Sequence, residues 1–360
     1  MPTIKEIAEL AGVSRGTVDR VINNRGCVNP IKEKKVLEII KALNYTPNLA
    51  GKTLAVKKKQ LKFGYILFGS TSSNPFFLDV VEGIESRATE LSEYGVSVEI
   101  RYAVIDDPGL QVKLINELIE GGISGLVITP INHPLVVEKV KQLTADGFPV
   151  VTTNTDIPNS GRLAYVGSDY FKGGETAAGI IHMICAGKAK VGIVMGSPLV
   201  LCHSERIAGF KRRIEEEYTG ITIVDTEINN DDDIQSFIVT KRLLETRPEI
   251  DTLFLAAAGV AGACRAVKEL GLERKVKVIS YDTTTASREL IQSGAIAVAI
   301  TQEPFIQGSR PLDILLNYVG MGISPEQEYF YTALGITIKE NLIMNDTCYL
   351  RNQSGQNARY

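Results

Sequence analysis

Nowhere in the 360 residues is there a run of about 18 apolar side chains, the length needed to cross a bilayer. The opening Met-Pro-Thr-Ile-Lys-Glu lacks the apolar stretch of an export signal. A protein neither exported nor membrane-spanning is expected. Cysteine is sparse: Cys27, Cys185, Cys202, Cys264 and Cys348 are odd in number, scattered and never spaced C-x-x-C. That argues against a disulfide framework and fits a reduced, cytoplasmic compartment. The three histidines, His133, His182 and His203, stand far apart without ligand spacings, so no metal site is expected. No G-x-G-x-x-G follows a strand, and no nucleophile–base signature appears. Gly51-Lys52-Thr53 imitates the end of a phosphate-binding loop, but Thr46 stands where that loop needs its first glycine. Neither an enzymatic reaction nor a cofactor is expected.

What is present is divided unevenly. The chain carries 39 Lys+Arg and 42 Asp+Glu, a net charge of −3, with 44% hydrophobic residues. Residues 1–62 hold 13 basic and 5 acidic side chains, a balance of +8, which leaves −11 on the rest. A basic head on an acidic body points to a polyanion-binding module attached to something else.

The head reads as three helices. Thr3 and Glu6 form a capping box, and Ile4, Ile7, Ala8 and Ala11 follow at helical spacing. Gly12 supplies a left-handed stop, and Ser14 caps a second helix whose Val18, Val21 and Ile22 turn inward. Asn29-Pro30 opens a third, carried by Val36, Leu37, Ile40 and Leu43 and ended by Asn44-Tyr45. Two short helices around a tight glycine turn make a helix-turn-helix, whose second helix enters the major groove. Arg15, Thr17 and Arg20 lie on or near its exposed face, and arginine pairs bidentately with guanine. A bundle serving only for docking is the plainer alternative, made less attractive by the charge.

Ala8-Glu9-Leu10-Ala11-Gly12-Val13-Ser14, Thr17-Val18, Arg20-Val21-Ile22-Asn23 and Leu43-Asn44-Tyr45-Thr46-Pro47-Asn48 resemble the headpiece of the LacI/GalR family of bacterial transcriptional regulators. The match is in register over about 55 residues. It implies DNA contacts from Thr3, Ser14, Arg15, Gly16, Thr17, Arg20, Asn23, Tyr45, Asn48, Gly51, Lys52 and Leu54. It also implies a hinge helix over 48–55 that folds on DNA as a dimer pair, Leu54 wedging into a minor-groove step. Gly51 is a poor helix former, so this hinge should depend strongly on DNA.

From residue 62 strands and helices alternate over some 280 residues, the pattern of parallel sheets covered by helices. Two halves of five or six strands predict two doubly wound lobes, with ligand at the carboxyl ends of the strands, between the lobes. Asn74-Pro75-Phe76-Phe77, Asn154-Thr155-Asp156, Asp282 and Gln302 follow predicted strands, and Arg206 follows the loop after strand 190–195. Planar amides and charged groups bind hydroxyl pairs, and aromatic faces cover sugar C–H surfaces. Singly, each is as readily a turn, a cap or core.

This body resembles the sugar-binding domain shared by LacI/GalR regulators and ribose-type periplasmic binding proteins, across about residues 62–345. The resemblance implies effector contacts from Asn74, Phe76, Phe77, Asn154, Asp156, Arg206, Asp282 and Gln302. Asp156 is expected to take over a role that relatives give to neighbouring positions. Ala256-Ala257-Ala258-Gly259 replaces a common polar Asn-Asp pair, which suggests an altered or larger ligand than a simple pentose. Cys202-His203 is expected in a cleft loop, without an assigned role.

The predicted organisation is a helix-turn-helix headpiece (1–47), a hinge and linker (48–61), a two-lobed effector domain (62–345) and a tail (346–360). The predicted function is a homodimeric repressor on a near-palindromic operator, controlled through lobe closure by a small sugar or polyol. The competing reading, a solute-binding component of a sugar transporter, explains the body but leaves the head without a purpose. The polar tail lacks a leucine heptad, favouring a dimer over a tetramer.

Overall fold

The computed structural model describes residues 2–22, 28–43, 57, 59–69 and 74–343. The head begins with α1 (Ile4–Ala11), α2 (Arg15–Ile22) and α3 (Pro30–Ala42). Its capping box is formed in both directions: Glu6 N–H donates to Thr3 Oγ1 at 3.2 Å, and Thr3 N–H to Glu6 Oε2 at 2.7 Å. Gly12 takes φ 70°, where a side chain would strain the turn. Ser14 Oγ accepts from Thr17 N–H, and Asn29 Oδ1 from Ile31 N–H. Ile7, Ala8, Ala11, Val18, Val21 and Val36 close a small core. Leu37, expected inside, is instead 50% exposed; Ile39 packs in its place beside Ile40 and Leu43. The expected end of α3 at Asn44-Tyr45 lies outside the described residues.

The body forms two six-stranded sheets. The first runs β1 (Leu61–Phe68), β2 (Val96–Ala103), β3 (Gly125–Ile128), β4 (Val150–Thr153), β5 (Ala164–Gly167) and β11 (Tyr329–Tyr331), in the order β11-β5-β4-β3-β1-β2. The second uses β6 (Ala189–Met195), β7 (Ile221–Ile228), β8 (Thr252–Leu255), β9 (Lys277–Tyr281), β10 (Val298–Thr301) and β12 (Gly335–Thr337), ordered β12-β10-β9-β8-β6-β7. All neighbours are parallel except β10 and β12. Central strands are buried on both faces: β3, β4 and β8 are buried at every position, with threonine the only polar side chain among them.

Helices α4 (Phe76–Ser92), α5 (Pro108–Glu120), α6 (Pro134–Ala145) and α12 (Pro304–Leu315) belong to the first lobe. The second lobe has α7 (Tyr170–Ile184), α8 (Leu201–Glu216), α9 (Asp233–Thr246), α10 (Val260–Glu269) and α11 (Thr285–Ser293). Glycine lets partner helices touch backbone to backbone. A Cβ on Gly174 of α7 would lie 1.9 Å from Arg206 O of α8, and one on Gly209 of α8 would lie 1.9 Å from Phe171 O. Gly83 of α4 and Gly308 of α12 make the same reciprocal contact in the first lobe.

Helix α12 tolerates Pro311 because its unmatched carbonyl is served from outside. Proline has no N–H to offer Gln307 O, four residues back. Thr153 Oγ1 donates to that oxygen at 2.8 Å and Tyr65 O–H at 3.2 Å.

Candidate effector cleft and DNA-binding face

The carboxyl ends of both sheets open on one cavity of about 760 Å³, mouth included. Phe68, Asn74, Phe76, Phe77 and Ile105 line it from the first lobe, and His203, Arg206, Asp231, Asp282 and Gln302 from the second. Two chain positions aim side chains inward by the same device. Asn154 after β4 and Asp282 after β9 take φ 63° and 64°. Each backbone N–H is tied to the neighbouring strand, at Val166 O (3.0 Å) and Ile300 O (2.9 Å). Non-glycine residues in this region cost about 1–3 kcal/mol, a strain typical of ligand sites.

The polar groups form one chain. Arg206 Nη2 donates to Gln302 Oε1 at 3.1 Å, and Gln302 Nε2 to Asp282 Oδ2 at 2.8 Å. Arg206 Nη1 donates to Ala256 O at 2.7 Å, and the guanidinium lies 3.8 Å from the Tyr281 ring centroid. Arg206 Nε and Asp282 Oδ1 are buried without hydrogen-bond partners. A donor and an acceptor left open in one cavity suit a hydroxylated ligand. Burial pushes the Asp282 carboxyl up to about 7, against the opposing pull of Arg206. Asn154 Nδ2 donates to Tyr170 O–H and Gln307 Oε1, both at 3.2 Å. Asn74 Oδ1 accepts from Phe76 N–H at 3.2 Å, and the Phe76 and Phe77 rings meet edge to face, 5.4 Å apart.

Seven of the eight expected effector residues therefore line one cavity. Asp156 is not among them. Its two carboxylate oxygens accept from Arg162 Nε and Nη2 at 2.5 Å, and Thr152 Oγ1 donates to Oδ1. Both charges are buried and spent on each other, so Asp156 braces the first lobe. Cys202 and His203 reach the cavity from the first turn of α8, not from a loop. Burial raises the Cys202 thiol to about 12, which leaves it unreactive. Asp231 was not singled out by sequence; it sits in the polar run 229–233, which reads as an ordinary turn.

On the head, Arg15, Gly16 and Arg20 are exposed along one side of α2. Arg20 Nε donates to Gly16 O at 3.2 Å, and Thr17 Oγ1 lies 2.9 Å from Ser14 Oγ. A Cβ on Gly16 would meet only Ser14 Oγ, at 3.8 Å, so this glycine keeps the helix profile low where a surface could approach. Thr3 caps α1, Ser14, Arg15, Gly16 and Thr17 lie at the start of α2, and Arg20 lies in its last turn. Asn23, Tyr45, Asn48, Gly51, Lys52 and Leu54 lie outside the described residues.

Comparison with known proteins gives two family matches. Residues 3–48 match the lacI family of bacterial regulatory proteins, and residues 64–322 match the periplasmic binding protein domain. A ribose operon repressor of Halalkalibacterium halodurans is 27% identical over 81% of this chain and 84% of its own length. The ribose import binding protein RbsB of Bacillus subtilis is 27% identical over 73% of this chain and 83% of its own. Among solved structures, GanP, a glucose-galactose binding protein from Geobacillus stearothermophilus, superposes with a TM-score of 0.71 at 25% identity. That match covers 78% of this chain and 98% of GanP.

Proposed function

The chain belongs to the periplasmic binding protein domain family and carries the DNA-binding head of the lacI regulators, and from that premise we propose a repressor released or recruited by a sugar in its cleft. DNA binding and response to a sugar follow from the family pair. No helix among the described residues is long and apolar enough to cross a membrane. The finer statements are ours: a cytoplasmic homodimer, a near-palindromic operator with two half-sites, and effector contacts through Asn74, Phe76, Phe77, Asn154, Arg206, Asp282 and Gln302. The proposed organisation remains a head (1–47), a hinge (48–61), an effector domain (62–345) and a tail (346–360).

One observation carries this reading. A basic three-helix head and a cavity with buried, unpartnered polar atoms occur on one polypeptide. Ligand in the cleft favours one relative placement of the lobes. If the hinges of two protomers meet DNA in only one placement, operator and effector affinities are reciprocally coupled. Coupling of ~1–3 kcal/mol changes operator affinity ~5–150-fold.

Footprinting on DNA selected from a random pool, with and without sugars that raise the protein's melting temperature, tests the proposal. A two-half-site footprint that shifts with sugar is expected. A footprint indifferent to every stabilising sugar would refute the coupling. Deleting residues 1–60 should abolish DNA binding and retain sugar binding. The transporter reading accounts for the cavity alone and gives the matched head no role.

A further inference from the structure

We propose that the effector is an aminated monosaccharide, whose ammonium is held by Asp231 and His203; this rests on the sugar-responsive reading of the same cleft. Both side chains line the cavity and are buried, at 3% and 6% exposure.

The case begins with a proton count. His203 Nδ1 lies 3.1 Å from Ser197 O, and a carbonyl only accepts, so Nδ1 carries the hydrogen. Burial holds the imidazole below its ordinary titration range, so the ring is neutral near pH 7. Nε2 then presents a lone pair. It faces Asp231 Oδ1 at 3.6 Å, acceptor against acceptor. Oδ1 already takes Ala258 N–H at 3.0 Å, while Oδ2 is buried and accepts nothing. The arrangement is rigid. Asp231 holds φ 59°, its N–H donates to Asn229 Oδ1, and Asn229 Nδ2 donates to Ala258 O. Gly196 keeps the room: a Cβ there would sit 2.4 Å from Asp231 Oδ2 and 2.3 Å from His203 Cε1.

An ammonium brings three donors and no acceptor, which is what converging lone pairs require. A hydroxyl brings one donor and lone pairs that neither partner can use. Charge points the same way. Asp231 and Asp233, with Asp282 only partly ionised near pH 7, line the cavity against one guanidinium, and Arg206 is engaged with Ala256 O and Gln302. The surplus is negative, so a phosphorylated or acidic sugar is disfavoured. Asp282 Oδ1 and Arg206 Nε remain for ring hydroxyls, and the Phe76–Phe77 pair for the ring face.

The test is calorimetric titration of the full chain with 2-amino-2-deoxy and 3-amino-3-deoxy hexoses and pentoses, beside their parent and N-acetylated sugars. A charged hydrogen bond of ~1.5–3 kcal/mol predicts that one amine binds about 10–100-fold more tightly than its parent. N-acetylation, which removes the charge and adds an acetyl group, should cancel the gain. Asp231→Asn should cancel it too, and a ligand-free melting transition close to the wild type's shows that the variant is folded. Parent sugars binding as tightly as amines, or an amine advantage surviving in Asp231→Asn, would overturn the inference. A parent sugar that binds tightly and moves operator affinity would overturn it while sparing the repressor reading. Failure of every sugar would remove both. Nitrogen-15 shifts of His203 in the ligand-free wild type give a check independent of any variant. A neutral Nδ1–H ring is expected at pH 7.5. An imidazolium would overturn the inference, because His203 itself would then neutralise Asp231.

Discussion

At the scale of single residues, two buried aspartates do different work. Asp282 has one oxygen on Gln302 and one on nothing, whereas both oxygens of Asp156 are gripped by Arg162. Replacing Asp156 by Ala leaves the Arg162 guanidinium, 1% exposed, with only the rim residue Glu328 as a carboxylate partner. A loss of about 3 kcal/mol in chemical denaturation is expected, with effector preference unchanged. Asp282 has the opposite signature. Its folded titration point, about 7, lies above the unfolded 3.8. The folded state therefore holds the proton more tightly, and stability falls as pH rises from about 4 through about 7. Asp282→Asn should raise the ligand-free melting temperature at pH 8 and scarcely at pH 5, while abolishing the effector response. Both aspartates follow predicted strands, so sequence placed them alike. What separates them is Arg162, six positions from Asp156 and brought back by a turn that no periodicity announces.

At the scale of elements, the close helix contacts carry the cleft. Arg206 sits on α8 at the point where Gly174 of α7 meets its backbone. Gly174→Ala should push α8 outward, costing about 1–3 kcal/mol of stability. Effector affinity should fall more steeply than in Gly83→Ala, whose contact with Phe305 O lies in the other lobe; calorimetry on both variants reads the difference. Most strands were legible because buried parallel strands are largely apolar. Helix α12 was not, because Gly308 and Pro311 spoil its local propensity and its unpaired carbonyl is satisfied by Thr153 and Tyr65, far away in sequence. Helix α8 starts at Leu201 without a signal in the sequence, because Val200 offers no capping side chain. That is why Cys202-His203 read as loop, and why the Asp231–His203 pair, joined only when β7 and α8 are folded, was not legible at all.

At the scale of the whole molecule, the charge division has a measurable result. The head's +8 should make operator affinity fall steeply with salt, by a log–log slope of about −0.9 per phosphate neutralised. Binding at the enclosed cleft should respond far less, and filter binding beside calorimetry between 50 mM and 200 mM salt separates the two. The two lobes have another asymmetry, this one in time. The first lobe's core includes Leu312, Leu315 and Leu316, and its sheet is completed by β11 at residues 329–331. Those residues are translated after β10, when nearly all of the second lobe has been made. The lobe begun first thus stays incomplete until nearly all of the second has been made. Its exposed half-core must wait on the ribosome for about 160 residues, the interval between β5 and β11, in which chaperones have their opportunity.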